Sequence, residues 1–411
     1  MKTILINIKK LLQVRSSKEV CISGNAMSDL PFIDNAYLIT EDDIILDYGK
    51  MEDLNNLNAD EIIDASGKFI LPTFCDSHTH IVYAGNRSKE FVDRINGLSY
   101  SDIAKRGGGI INSTKLIEDT SEKDLYNQSM TRIKNVIKSG TGAIEIKSGY
   151  GLTVESELKM LNVIKMIQND SQIKVKSTFL GAHAFPLKYK NNKDGYVDLI
   201  INKMLPLFVE KKLIDFIDVF CEEGYFNLEQ TERILIAAKK YNLPAKLHVN
   251  QFNSIGGIKL ATKYNALSVD HLEVMKDDDY LFLKNSKTIP VALPICSFYL
   301  GIDYTPARKL IDNDLPLALA TDFNPGSAPC GNMGFAISLA CIKLKLTPQE
   351  AINAATINGA HAMGISKTHG SITVGKKANF ILTNSINEIS ELPYYLFENQ
   401  IDSVFINGKP S

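Results

Sequence analysis

The sequence predicts an α/β fold: a closed (β/α)8 TIM-type barrel with a small β-sandwich domain built from both chain ends. Three observations lead there. Short alternating segments broken by Gly, Asn and Asp fill residues 1–68, eight short apolar runs then alternate with helical stretches, and short strands return after Gly364. The 411 residues, 45% of them hydrophobic, provide a large buried core. That length suits two or three average domains, or one barrel of roughly 250 residues with a smaller domain beside it.

Residues 1–7, 36–40 and 43–47 alternate as small antiparallel strands do. The first barrel run ends at His78, and the others cover 142–146, 175–180, 216–220, 245–248, 266–269, 289–293 and 315–320. Eight strand–helix units close into a barrel rather than spread as an open sheet. Thr347-Pro348-Gln349-Glu350 supplies an N-cap hydroxyl, a proline at the first helical position and a capping-box glutamate, which predicts one helix running to Met363. Strands follow at 379–382 and 403–406, with Asn407-Gly408 as a turn. The expected division is 1–68 with 366–411 in the sandwich, and 69–365 in the barrel.

A net charge of -2 argues against nucleic acid as the main partner. No apolar stretch reaches the roughly 18 residues that span a bilayer, and the first residues lack a signal-peptide cleavage pattern, so the expected location is the cytoplasm. The six cysteines contain no Cys-x-x-Cys pair and read as reduced, structural thiols.

The chemistry sits where the runs end. His78 and His80 close the first run, His183 the third, His248 the fifth, His271 the sixth and Asp322 the eighth; His361 and His369 lie elsewhere. In a (β/α) barrel these ends ring one pocket. The His-x-His spacing turns both imidazoles to one side of a strand, where one ion can collect them. His78, His80, His248 and Asp322 would hold one divalent ion, zinc by ligand type, with iron(II) or manganese also compatible. A bound water would then ionise near neutral pH and serve as hydroxide. His271, outside the ligand set, would orient that hydroxide and stabilise charge on a carbonyl oxygen, while Asp322 would carry the proton to a leaving nitrogen. This describes a hydrolase site.

These residues resemble the amidohydrolase superfamily: His-x-His after strand one, histidines after strands five and six, Thr321-Asp322 after strand eight, and the return Gly370-Ser371-Ile372-Thr373-Val374-Gly375 into the sandwich. Segments 76–80, 85–91, 107–110, 145–152, 179–183 and 321–327 are similar to the branch that opens the ring of 4-imidazolone-5-propanoate, the third step of histidine degradation. Lys147-Ser148-Gly149-Tyr150-Gly151-Leu152 and Asp322-Phe323-Asn324-Pro325-Gly326-Ser327 carry that branch's signature. The resemblance implies hydrolysis to N-formimidoyl-L-glutamate by metal-bound hydroxide, with a homodimer as the expected assembly. Arg87 would take the substrate carboxylate. Tyr100, Tyr150, His183, Gln251, Asn324, Gly326 and Ser327 would complete substrate binding.

Thr73 and Cys75 depart from the residues usual before the Asp-x-His-x-His segment. Gln251 stands three residues after His248, where a deaminase places a proton-relaying glutamate, and an amide has no proton to relay. The alternatives are another mononuclear cyclic-amide hydrolase or deaminase of the superfamily, and a non-catalytic relative, which would be expected to lose metal ligands. Gly107-Gly108-Gly109 reads as flexible loop or hinge rather than a nucleotide loop. Lys147 ends strand two rather than strand four, where a metal-bridging lysine belongs, so one ion is expected. Glu222 and Glu223 read as structural or solvent-facing.

Overall fold

A computed structural model describes residues 1–98, 102–103, 106–396 and 398–411. Two eight-stranded sheets organise it. In one, parallel strands follow in chain order: Phe74–Thr79, Thr141–Lys147, Lys174–Ala182, Phe216–Cys221, Ala245–Val249, Ser268–His271, Ile289–Ala292 and Ala318–Leu319. Helices separate successive strands, as a parallel crossover requires. The eight expected barrel runs are these strands, with shifted ends.

The last strand is shorter than the expected 315–320. Pro316 lacks an N–H for the ladder, and the start of the run is engaged elsewhere: Ser23 bridges Pro316, and Gly24 N donates to Leu315 O at 3.1 Å. The sixth strand runs on to His271, paired with Val249, instead of stopping at Val269. Contacts beyond the ladder join the eighth strand to the first. Asp322 N donates to His78 O at 3.0 Å, His80 N donates to Phe323 O at 2.9 Å, and Thr321 gives Asp76 both its backbone N–H at 3.0 Å and its hydroxyl at 2.6 Å. Ring closure therefore fixes His78, His80 and Asp322 relative to one another.

The second sheet combines both chain ends. Lys2–Leu12 pairs antiparallel with Phe32–Glu41 on one edge; on the other it pairs parallel with Glu61–Asp64 and then with Lys68–Pro72. Phe380–Ser385 continues from Lys68–Pro72 and leads to Ile401–Ile406 and Lys409–Pro410. Leu5, Ile8, Leu11, Leu38, Ile70, Phe380 and Phe405 form its interior. Residues 69–72 thus pair in the terminal sheet, and the first barrel strand starts after Thr73.

The helix expected from Thr347 to Met363 is two helices, Pro348–Ala355 and Ile357–Ala362, broken at Thr356, whose φ/ψ is -114°/-89°. The capping box at Thr347 and Glu350 is present. The break follows from packing: Thr356 Oγ1 donates to Ile352 O and accepts from Gln13, just past the strand Lys2–Leu12, while the second helix lies so close to strand one that a Cβ on Gly359 would meet Cys75 O at 2.3 Å.

Burial pushes the Asp76 carboxyl up to about 7 against its bonds from Thr321. Replacing Thr321 by valine removes the hydroxyl donor and leaves a fully buried acceptor short of a partner. Chemical denaturation of Thr321→Val should show a loss of about 1–3 kcal/mol, and an unchanged midpoint would mean that this bond does not help close the barrel.

Candidate active site

His78, His80, His248, His271 and Asp322 converge at the C-terminal ends of the barrel strands, all buried. His78 Nε2 lies 3.3 Å from His80 Nε2, and Asp322 Oδ1 lies 3.5 and 3.4 Å from these nitrogens. The ring of His248 meets that of His78 edge-on, with centroids 4.4 Å apart, and its Nε2 is buried without a hydrogen-bond partner. Two trios of donor atoms, His78 with His80 and Asp322, and His78 with His248 and His271, each lie within 4.8 Å. The 3.3–3.5 Å spacing within the first trio fits a single ion, since ligands at about 2.0–2.1 Å from tetrahedral zinc stand roughly 3.3–3.4 Å apart; His248 is grouped with His78 and His271 rather than with His80 and Asp322. The orphaned His248 nitrogen and the facing imidazoles provide lone pairs for the ion.

The backbone turns these side chains inward at some conformational cost. His271 has φ 88° and Leu272 φ 70°, Asp322 has φ 56°, and Asn250, two residues past His248, has φ 57°. Left-handed backbone at non-glycine residues costs roughly 1–3 kcal/mol each. It is tolerated at strand ends held by the ladder and by closure.

A second layer of charge lies beneath the ligands, and reading the sequence missed it. His78 Nδ1 donates to Asp270 Oδ2 at 2.6 Å, and His248 Nδ1 lies 3.0 Å from Asp218 Oδ2. Each pairing directs the opposite nitrogen, Nε2, toward the ligand cluster. Lys147, fully buried, donates to Glu145 at 2.6 Å and Asp218 at 2.8 Å. Lys246 donates to Ser77 O at 2.7 Å and to Glu145. Lys147 is therefore committed to carboxylates. The available signal was a charged residue inside each apolar run: Glu145 in 142–146, Asp218 in 216–220 and Lys246 in 245–248.

Burial, followed by the charge of Lys147, holds the His78 imidazole well below its ordinary range, and burial also lowers His80 and His248. Neutral imidazoles are ready ligands. Burial pushes Asp322 up, but its hydrogen bond with His80 and the electrostatic pull of the surrounding imidazoles outweigh it and hold it below the ordinary carboxylate value. His271 differs from the other three: burial lowers it, yet Glu273, 3.5 Å from its Nδ1, together with Asp322 and Asp270 raises it above the usual histidine value.

A cleft opens above the cluster. Arg87, Tyr150, His183, Gln251, Asn324 and Ser327 line it, as do His80, His248, His271 and Asp322. Arg87 gives its Nε to Glu90 at 2.7 Å, and its guanidinium lies over Gly326, where a Cβ would come within 2.2 Å of Nη1. His183 stacks on His80 at 5.2 Å, and its Nδ1 is 3.1 Å from Gly149 O. Gln251 Nε2 donates to Cys296 Sγ at 3.5 Å. Asn324 lines the cavity, but its amide is occupied within its own turn: Oδ1 accepts from Gly326 N and Ser327 N, and Nδ2 donates to Asp322 O and Ser327 Oγ. Gly326 makes room for Arg87. Tyr100 lies outside the described residues. Glu222 is buried, with its carboxylate bonded to backbone N–H groups of residues 252 and 253. The six cysteines are free thiols, and no helix is long and apolar enough to cross a membrane among the described residues.

The amidohydrolase family model matches residues 69–410. Over 409 residues, and the full length of both chains, this chain is 60% identical to an imidazolonepropionase of Christiangramia forsetii and 59% identical to one of Flavobacterium johnsoniae. An imidazolonepropionase of Geobacillus thermodenitrificans is 39% identical over 98% of this chain and 96% of its own. Among solved structures, Escherichia coli guanine deaminase superposes with a TM-score of 0.76 at 15% identity, covering 100% of this chain and 99% of that one. A zinc-bound adenosine deaminase from Xanthomonas campestris gives 0.72 at 15% identity, over 99% and 92%. The two deaminases share the fold alone. With a family model spanning most of its length and full-length relatives at 60% identity, the chain belongs to the amidohydrolase family and, within it, to the imidazolonepropionases.

Proposed function

We propose that this chain hydrolyses the ring C–N bond of 4-imidazolone-5-propanoate to give N-formimidoyl-L-glutamate. The observation that carries the reading is one cavity holding a His/Asp ligand cluster at its floor and the Arg87 guanidinium in its wall. The substrate has the same two parts, an amide-type carbonyl and a carboxylate arm. The full-length similarity to imidazolonepropionases supports the same choice.

His78, His80, His248 and Asp322 would hold one divalent ion, zinc in our reading, with iron the alternative. When bound, such an ion lowers the pKa of a coordinated water toward about 7 and polarises the carbonyl. Asp322 receives the proton of the attacking water and passes it to the amidine nitrogen as the carbonyl C–N bond breaks. The carbonyl carbon gains the hydroxyl, and the leaving nitrogen gains the hydrogen. His271, raised in pKa and outside the four ligands, orients the water and donates toward the developing oxyanion. Arg87 receives the propanoate, while Tyr150, His183, Gln251, Asn324 and Ser327 shape the cavity around the ring. Gln251 at the wall gives no relay for deamination, which disfavours the main rival chemistry. We place the enzyme in the cytoplasm as a homodimer.

The direct test is turnover of 4-imidazolone-5-propanoate with the product identified by mass. Chelation should abolish turnover and leave the barrel folded by circular dichroism, because a core of this size needs no structural ion. Undiminished activity in rigorously metal-free protein would remove the mechanism. His271→Ala should keep near-stoichiometric metal by elemental analysis but lose on the order of a hundredfold or more in kcat, whereas His248→Ala should lose the ion. Equal metal loss in both would make His271 a ligand. Arg87→Met should raise KM about ten- to a hundredfold with metal content intact, and lysine should rescue only partly because it lacks the planar fork. A wild-type KM in Arg87→Met would assign the carboxylate to another group.

A further inference from the structure

Three buried glutamates lie behind the cavity wall, and none is a ligand. Glu157, fully buried near the start of the helix Val154–Asp170, accepts from Gly149 N at 3.1 Å, Gly151 N at 2.8 Å and Leu152 N at 2.9 Å. Tyr150, which lines the cavity, sits between those amides. Glu222, 1% exposed, accepts from Phe252 N at 3.0 Å and Asn253 N at 3.2 Å, and through its other oxygen from Glu223 N at 2.8 Å. Gln251 and Phe252 line the cavity next to those amides. Glu90 accepts from Arg87 Nε at 2.7 Å, Gly109 N at 3.1 Å and Asn112 Nδ2 at 2.9 Å, joining the Arg87 loop to the glycine triplet.

The same device therefore recurs in the loops after strands one, two and five: a buried carboxylate gathers donors of a loop that presents a substrate-facing side chain. Ordinary loop packing does not require this. An acceptor with two oxygens satisfies loop donors that neither helix nor sheet can use: Glu157 holds the backbone on both sides of Tyr150, Glu222 holds the two amides that follow Gln251, and Glu90 holds Arg87 Nε together with Gly109 N. The loop after strand two is built for that capture: Gly149 has φ 110°, Leu152 has φ 55°, and a Cβ on Gly151 would stand 2.4 Å from Glu157 N. Only glycine at 151 lets the loop close onto the helix start.

We propose that Glu157, Glu222 and Glu90 are positioning residues that preset the loops bearing Tyr150, Gln251–Phe252 and Arg87, so that substrate is recognised by a wall already formed before it binds. The inference rests on the proposed ring-opening reaction, which wild-type turnover establishes or removes independently of these residues. Glutamine substitution keeps the size but turns one acceptor oxygen into an NH2 that faces a backbone N–H, which loosens the loop and leaves the floor of the site alone.

The test combines kinetics with hydrogen exchange. In Glu157→Gln and Glu222→Gln, KM for 4-imidazolone-5-propanoate should rise about tenfold or more while kcat stays within about threefold and ion content is unchanged. The inhibition constant of 3-(imidazol-4-yl)propanoate should rise in parallel. In ligand-free wild-type protein the amides of Gly151, Leu152, Phe252 and Asn253 should exchange slowly, as preset hydrogen bonds demand. If Glu157→Gln does not fold, Glu222→Gln and the exchange data decide alone. Unchanged KM in folded variants, loss of kcat and ion together without a KM effect, or fast exchange of those amides in the wild type would each overturn the proposal.

Discussion

The site depends on a buried pairing of charge and imidazole. Asp270 holds His78, Asp218 stands at His248, and Lys147 and Lys246 lie among Asp218, Asp270 and Glu145 in the barrel interior. Breaking a buried pair by removing one partner costs roughly 3–5 kcal/mol, far more than a surface pair contributes. Burial raises Asp270 to about 6, against the opposing charge of the two lysines. The imidazoles consequently have little freedom in ring orientation, and their Nε2 atoms meet at the floor of the cavity. Ligand geometry is thus a property of the folded barrel.

Barrel closure supplies the second constraint. Asp76 and His78 lie in strand one with His80 just past its end, and Thr321 and Asp322 follow strand eight, so His78, His80 and Asp322 come together only when the sheet joins its own beginning. The left-handed backbone turns Asp322 inward at that seam and His271 inward at the end of strand six. The floor is rigid because ladder, closure and buried charge all define it. Its wall is formed differently, by loops whose amides are gathered onto glutamates. That division suits the proposed hydrolysis, in which the floor would supply general chemistry and the wall would select the arm of the substrate.

Much of this was legible in the sequence. His78-x-His80 and the polar residues ending the first, third, fifth, sixth and eighth apolar runs pointed to the floor, and Thr347-Pro348-Gln349-Glu350 marked a helix start that the structure contains. The terminal sheet was visible in its alternation. The shortened eighth strand, the break at Thr356 and the pairing of 69–72 in the terminal sheet were not, because each depends on contacts with residues hundreds of positions away. Glu145, Asp218, Lys246 and Asp270 escaped for a related reason. A charge inside a strand names no partner until neighbouring strands are set side by side, although its presence in a buried run signals that a partner must exist. Glu222 was read as structural or solvent-facing; it is structural, and the loop it holds bears on the cavity.

Anomalous diffraction from metal-loaded crystals, recorded at the absorption edge of the bound ion, tests the central claim most directly. The account predicts one peak per chain, bounded by Nε2 of His78, His80 and His248 and by the Asp322 carboxylate at about 2.0–2.2 Å, with Lys147 still among its carboxylates. A peak ligated by His271 in place of one of these residues, or a second ion drawn to Lys147, would contradict it.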